Sequence, residues 1–478
     1  MLLIKSRTDP PRNIDMIRGL FNDRTYYRTL FRLVIPIVIQ YFISAAMNII
    51  DVAMMGHLGE TAVAAVGISN QAFFILILFL FGVSSGSAIF TAQFWGQRDV
   101  PNIRRVLGLC LSIASAGGLI FTIVAVFFPG SFLGLFSPDP AVIQLGSQYL
   151  HIVGFSYLVT AVTFSYYAVL RSTEEVRLPM LVSGVAILIK TGLSYLLIFG
   201  HLGLPAMGVV GAGVGTVVAR FLECGILLFL VYYRKTAAAA RLSELNGFRS
   251  SFLGKYFRTA LPVVVNELAW SIGVSLYNVA YGHISTQAIA AVNIVSSVEN
   301  LAFVAFMALS DSTGIMIGNH IGMGNESKAM EYGRRSLTLN VLGAWLMGVI
   351  ILLNLDNILS IYGVSELARE YSHNVLLVSA LVLWVRVSNM MIIVGILRAG
   401  GDTRFCVFLD VGTVWLVGVP MAFLGALVLK LPVYFVYPLV TAEEFVKFGV
   451  GIRRLLSGKW LNNLAAEIAI PKPDPSVY

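Results

Sequence analysis

Charge is what this chain has least of. Only 12% of its 478 residues are Asp, Glu, Lys or Arg, against roughly a quarter in a soluble domain. With 57% hydrophobic residues and a mean hydropathy of +0.82, it has too little polar side chain to cover a water-facing surface. A soluble globular fold is excluded, and lipid becomes the solvent for most of the chain. Cysteine is scarce too. Cys110, Cys224 and Cys406 sit in or beside apolar runs without CxxC or metal spacing, and read as buried free thiols. No DDxxD cluster occurs, and the histidines share no motif beyond His57 and His283 in matched turns. No phosphate-loop lysine follows the run Gly211-Ala212-Gly213-Val214-Gly215. These absences argue against an enzyme, against an ATP-driven pump and against any bound cofactor. The formal charge of +8 lacks a basic stripe interleaved with stacking aromatics, so nucleic acid is not expected as a partner.

What is present is a series of apolar stretches, each long enough to cross a bilayer at roughly 20 residues per span. Twelve are expected, near 31–55, 65–95, 106–128, 141–170, 179–199, 208–232, 257–281, 289–320, 336–354, 371–396, 405–429 and 432–456. The turns between them hold Gly, Pro or charge, as at Gly56-His57-Leu58-Gly59, Pro129-Gly130 and Leu431-Pro432. Placing the N-terminus inside puts Arg369 and Lys430 in outer loops, leaves Lys190, Arg220, Arg386 and Lys447 within spans, and gathers the other 27 of the 33 basic residues inside. Both termini are therefore expected to be cytoplasmic, in a multi-pass protein of the cell membrane. Residues Met1 to Arg28 contain no continuous apolar core with a cleavage site. They read as an amphipathic segment on the cytoplasmic face, with no cleavable signal peptide expected.

The chain repeats. Shifted by 226 residues, Pro36 meets Pro262, and six of the eleven residues from Gly56 to Val66 are identical. At an offset of 227, Leu170-Arg171 meets Leu397-Arg398 and Arg177 meets Arg404. Six spans separate the copies, an even number, so both halves enter the membrane with the same polarity. The expected fold is all-α: twelve transmembrane helices in two pseudo-symmetric six-helix bundles. The boundaries read as a cytoplasmic N-terminal segment over 1–30, an N-lobe over 31–233, a polar and flexible linker over 234–256, a C-lobe over 257–456 and a cytoplasmic tail over 457–478. A parallel repeat of this kind suits a transporter with its site between two rocking bundles.

The segment from Asn48 through Asp51 to Gly56-His57-Leu58-Gly59, followed by an alanine-rich helix start, resembles the first-helix signature of the MATE (multidrug and toxic compound extrusion) family. Gln93-Phe94-Trp95-Gly96-Gln97 and Asn319-His320-Ile321-Gly322 resemble its span-two and span-eight endings. Leu397-Arg398-Ala399-Gly400-Gly401-Asp402-Thr403 resembles its loop after span ten. The resemblance implies an antiporter that exports amphipathic organic compounds in exchange for inward H+ or Na+. Its partners would be those small molecules and the bilayer, and a monomer is expected. A related reading is a flippase for a lipid-linked or phosphate-bearing amphiphile, holding phosphates on Lys190, Arg220 and Arg386. A membrane-embedded transferase is the reading from another class.

An ionisable residue in the bilayer costs on the order of 2.5–3.5 kcal/mol on insertion scales, so each one faces a cavity or a partner. Asp51 and Asn48, three residues apart, share a helix face and can offer oxygens to Na+, or a carboxyl to a proton. The resemblance places the family's first-helix acid at Asp51, and the bland alternative is a carboxylate capping the outer end of span one. Glu267, five residues after the kinking Pro262, is a further candidate for ion or proton coupling, with Asn266 beside it in the cavity or charge network. Lys190 and Ser194 fall where the resemblance leads one to expect Asn and Asp, and a lysine there repels cations unless a carboxylate such as Asp51 neutralises it. Arg386 departs from the family in the same way, and its depth suggests Glu267 as partner. Asp410 and Lys447 are expected in contact, with Glu443 and Glu444 close by. Arg220 and Glu223 pair locally. Phe73, Phe74, Tyr166 and Tyr277 are candidates to line a cavity. Glu299 and Asp311 have no assigned partner. No metal is expected beyond Na+ at Asp51.

Overall fold

The computed structural model describes residues 23–246 and 250–468. Of the amphipathic segment expected over Met1 to Arg28, the part before Asp23 lies outside them, as do the last ten residues of the tail; Arg24 to Arg28 form the start of the first long helix. Twelve long helices follow in order: α1 Arg24–Gly56, α2 Glu60–Gly96, α3 Val100–Phe127, α4 Pro140–Ser172, α5 Arg177–Phe199 and α6 Gly208–Tyr233. Then come α7 Ser250–Ile284, α8 Thr286–Gly322, α9 Glu326–Leu353, α10 Glu366–Met390 with its continuation to Leu397, α11 over Thr403–Val428 and α12 Val433–Leu456. Eleven of them are apolar enough to cross a bilayer. The exception, α12, carries Glu443, Glu444 and Lys447 in its middle. No strand occurs among the described residues. In lipid this is the expected outcome, because a helix satisfies its own backbone groups.

Local chemistry sets the ends. Asp23, Asp99, Asp139, Ser285, Asn325 and Ser365 each accept a backbone N–H of the first turn, at 2.9–3.3 Å. Pro140 opens α4 at a position where no N–H is needed. At the far end of α5, Gly200 takes the left-handed conformation, φ +73°, that lets the chain turn back. A long helix stands at each of the twelve expected spans, and most extend past the expected ends. At 33 residues and 1.5 Å per residue, α1 runs ~50 Å, well beyond a ~30 Å hydrocarbon core.

Each half packs around its own core. Leu76, Leu80, Leu150 and Tyr157 anchor the first bundle, and Val375, Leu376, Val414 and Val436 the second. The halves join at the end that carries most of the basic loops, called here the basic end. Small residues permit the approach: a Cβ on Gly82 would lie 2.8 Å from Val264, and one on Gly86 2.7 Å from Ala260, so α2 and α7 are in backbone contact. At their last turns, α2 and α8 cross where Gly96 meets the Asn319 carbonyl and Gly322 meets the Gln93 carbonyl, too close for any side chain.

Two segments differ from expectation. The linker after α6 is packed against the first bundle, not a loose bridge. Ala238 and Ala240 are buried, Tyr232 donates to the Ala240 carbonyl at 2.8 Å, and Arg104 bonds Glu244 at 2.6 Å. The Arg241 amide and then Arg104 hold the Glu244 carboxyl below its usual range. The tail after α12 also folds onto the protein. Trp460 is fully buried, and Asn462 and Gln93 hydrogen-bond between the two halves. The alanines supply apolar surface that a reading of the linker as polar overlooks, and Trp460 supplies it for the tail.

Substituting Gly322→Val should force the basic ends of α2 and α8 apart. Spin labels placed at the exposed positions Pro101 and Glu326 would report a longer distance than in the unsubstituted protein; an unchanged distance would contradict the packing described.

Candidate functional site

In the first bundle, the Lys190 ammonium on α5 bonds the Asp51 carboxylate on α1, both half-buried. One turn further along α5, the Ser194 hydroxyl is buried with no hydrogen-bond partner. A Cβ on Gly215 would collide with Ser194, so the glycines of α6 let it press against α5 at this level. On α6, Arg220 donates to Glu223 at 2.8 Å, and Tyr167 donates to the other oxygen of the same carboxylate at 2.8 Å. Arg220 also lies over the ring of Phe73, 5.6 Å from its centroid. Asp51, Lys190, Ser194 and Arg220 share the wall of one cavity of about 510 Å³ with Phe73 and Tyr157.

The second bundle holds a larger charge network. Arg386 on α10 bonds Glu299 on α8, which also accepts from Ser379 and, at 2.9 Å, from Tyr437. Lys447 on α12 lies 2.9 Å from Asp410 on α11, 3.9 Å from Glu443 and 3.8 Å from Glu444. Asn266 donates to Asp410 at 2.9 Å, Tyr277 to Glu443 at 2.9 Å, and Asn389 to Glu444 at 2.7 Å. Arg398, only 2% exposed, pairs with Glu267 at 2.9 Å. The carboxyls Glu267, Glu299, Asp410, Glu443 and Glu444 thus face three cations, Arg386, Arg398 and Lys447. Two negative charges have no counterpart in this network.

Between the bundles the repeat becomes visible as chemistry. Arg171 of α4 donates to Gln40 at 2.7 Å and to the Tyr41 hydroxyl at 3.2 Å, and lies 3.9 Å from Asp311 of α8. Tyr41 donates to Asp311 at 2.6 Å, closing the contact across the interface. Add 226 or 227 to these positions and the second set appears: Arg398, Asn266, Glu267, with Ser85 of α2 in place of Asp311. Arg398 indeed reaches Ser85 across the interface at 3.3 Å. Both arginines therefore span the junction. One finds its carboxylate on the opposite bundle and the other on its own.

The expected partnership of Asp51 with Lys190 is present, as is that of Asp410 with Lys447 and that of Arg220 with Glu223. The pairing of Glu267 with Arg386 is not. Equal depth does not fix which way a residue faces: α10 presents Arg386 toward α8 and α12. The π-helical stretch Met391–Leu397 then brings Arg398 to α7, its N–H bonding the Ile393 carbonyl five residues back at 3.0 Å. Asn48 stands one turn before Asp51, but its side chain lies outside the described residues. Phe73 and Phe74 line the first-bundle cavity; Tyr277 is bound to Glu443, and Tyr166 lies 3.2 Å from Tyr232. Lys190 and Arg220 belong to one bundle and Arg386 to the other, so they form no single phosphate clamp. Glu299, Asp311, Arg171 and Arg398 were the unassigned members, and the Leu-Arg pair repeated at offset 227 was the signal for two of them.

A family model described as MatE matches residues 36–196 and again 262–424, the two starts separated by the repeat offset. A probable multidrug resistance protein NorM of Thermotoga maritima is 24% identical over 435 residues, covering 91% of this chain and 93% of that one. Among solved structures, an outward-facing multidrug resistance MATE family transporter of the MOP superfamily matches with a TM-score of 0.83 at 17% identity, over 95% of this chain and 100% of that one. A MOP superfamily transporter from Pyrococcus furiosus, described as having a binding pocket of reverse polarity that suggests a different function, matches with a TM-score of 0.82 at 18% identity, over 95% and 100%. At these identities the structures establish the fold.

Removing one partner of a buried pair leaves the other charge uncompensated. Arg398→Ala is expected to destabilise the protein by about 3–5 kcal/mol, read as an earlier thermal transition in detergent. The double substitution Arg398→Gln with Glu267→Gln should recover most of that loss.

Proposed function

The chain belongs to the MatE family, and from that premise we propose that it is a secondary antiporter exporting amphipathic organic compounds in exchange for inward H+ or Na+. Membership makes it a multi-pass membrane transporter and not an enzyme, in keeping with the names its relatives carry. The observation that supports ion coupling is the charge imbalance of the second bundle. Two carboxylates in excess of their cations, inside a helical bundle, are stable only if they hold protons or a cation. Glu443 and Glu444 are the natural carriers, because Asp410 already holds the closest contact with Lys447. Asp51, expected to be the main coupling group, sits in a neutral pair with Lys190, and the surplus lies in the other bundle. Glu267, likewise paired, has a positioning role toward Arg398.

Alternating access follows from the junction. The bundles meet along the basic end, which the positive-inside rule assigns to the cytoplasm together with both termini. Opening that end requires α2 to part from α8, and Arg171 from Asp311. Changing the charge of the second bundle alters the balance between the joined and parted states, since only a difference in binding free energy between two states can shift them. Loading the surplus carboxyls from outside would favour the inward-open state and return the empty carrier.

Glu443→Gln together with Glu444→Gln leaves Glu267, Glu299 and Asp410 balanced against Arg386, Arg398 and Lys447. In vesicles with separately imposed H+ and Na+ gradients, gradient-driven transport of a compound panel should fall at least about tenfold in this variant, the size of a typical lost coupling free energy. Asp51→Asn should change it less. Full gradient dependence in the double variant would remove the proposed coupling site.

A further inference from the structure

The cavity of the first bundle has an excess of hydrogen-bond donors. Lys190 carries three N–H groups and gives one to Asp51; Arg220 carries five and gives one to Glu223. The hydroxyl of Ser194 is 2% exposed, lines the cavity and has no partner. Each carboxylate at this site, by contrast, already has a cation. Asp51 receives Lys190, and Glu223 receives Arg220 on one oxygen and Tyr167 on the other. Glu223 is also turned out of the cavity, its side chain only 4% exposed beside the 28% of Arg220. The lining residues therefore carry two cations and one carboxylate, and that carboxylate is already neutralised. An organic cation entering this space meets two like charges, and the acceptors open to it are limited to the second Asp51 oxygen and neutral groups such as the Asn70 amide oxygen.

The remaining walls are mainly apolar and aromatic, with Met54, Val66, Phe73, Phe74 and Tyr157, and also carry the neutral polar groups of Asn70, Tyr149, Ser156 and Thr216. Phe73 is held on one side by the Arg220 guanidinium, which fixes a flat face beside the charge. About 510 Å³ is enough for a drug-sized molecule with one polar end.

We infer that this cavity takes an amphiphile by an anionic headgroup, a carboxylate, sulfonate or phosphate. Lys190, Arg220 and Ser194 supply the donors, and the apolar body lies against Phe73, Phe74 and Tyr157. The inference rests on the transporter reading for its physiological meaning, since it names the class of compound moved. It does not rest on it for its test. The anion would compete with Asp51 for Lys190, so its arrival loosens the link between α1 and α5 that the empty cavity holds closed.

The test is binding to the full-length protein in a non-ionic detergent, with no gradient imposed. The probes are an isosteric pair, naphthalene-1-sulfonate and 1-naphthyl-trimethylammonium, with dodecyl phosphate as an acyl amphiphile. The sulfonate should bind at least about tenfold tighter than the ammonium compound, the worth of one charge-assisted hydrogen bond. That preference should weaken as salt is raised. Arg220→Gln with Glu223→Gln, and Lys190→Met with Asp51→Asn, remove charge in neutral pairs, so each variant is expected to fold. Each should reduce sulfonate affinity about tenfold and leave ammonium affinity unchanged or improved. Ser194→Ala should reduce it by a smaller factor. Dodecyl phosphate binding tighter than the sulfonate assigns the site to lipid-like acids, and the opposite order to flat aromatic acids. Equal or tighter binding of the ammonium probe, or undiminished sulfonate affinity in both paired variants, overturns the inference. Transport that fails in vesicles while this binding holds would overturn the antiport reading alone.

Discussion

A fixed charge in a hydrocarbon slab has to be matched within a few ångströms, and nearly every polar contact of this protein answers to that requirement. The long helices need no help from charge, since each closes its own backbone hydrogen bonds. Charge is therefore free to be placed for other ends. It appears in the described helices as pairs: Asp51 with Lys190, Arg220 with Glu223, Glu267 with Arg398, Glu299 with Arg386. Against that background, the group Asp410, Glu443, Glu444 and Lys447 stands out because one cation serves three acids. Uptake of positive charge from outside the bundle, as in the coupling proposed above, would relieve that imbalance. The same imbalance makes α12 too polar to be counted as a spanning helix by apolarity alone.

The two halves have the same architecture and opposite chemistry. In the first bundle the cavity offers donors, and in the second the interior offers acids. Gene-level duplication, visible as the 226-residue offset, would have begun with equivalent sites. The junction records how they parted. At equivalent places, Tyr41 became the counterpart of Glu267, and Ser85 the counterpart of Asp311. The acid serving each arginine thereby moved from one bundle to the other. As a result, the Arg171 contact holds the bundles together through charge, while the Arg398 contact crosses only to a neutral hydroxyl. An asymmetric seam of this kind can be loosened from one side without unsettling the other.

Much of this was legible in the sequence, for identifiable reasons. The spans, their number and the two-bundle plan follow from hydropathy and the repeat, which act over tens of residues and tolerate small errors. Pairs such as Asp410 with Lys447 were legible because adjacent helices in a bundle place residues of similar depth side by side. The pairing of Arg386 was not, because depth leaves the rotation of a helix open. The π-helical turns at Met391–Leu397 and Val414–Gly418 change that rotation, and the glycines in them, Gly395 and Gly418, do not by themselves tell a π turn from a close helix contact. The packed linker and tail were missed for a different reason. Their apolar residues, Ala238, Ala240 and Trp460, are few, and buried contact depends on which surface happens to lie beneath them.

Division of labour between the bundles has a mechanical consequence. If the anionic end of a substrate is held by Lys190 and Arg220, and protons or cations are held around Glu443 and Glu444, the two ligands never compete for one site. They can then communicate only through the junction. That is a weaker constraint than direct displacement, because each ligand needs only to bind one arrangement of the bundles better than the other. The backbone contacts of α2 with α7 and α8 hold the joined arrangement through glycine faces that leave no room for a side chain, and under the proposed alternating access it is this close packing that would have to part. Coupling at a distance is then a property of rigid helices meeting along a short, tightly packed seam, with the charges on either side deciding which state is held.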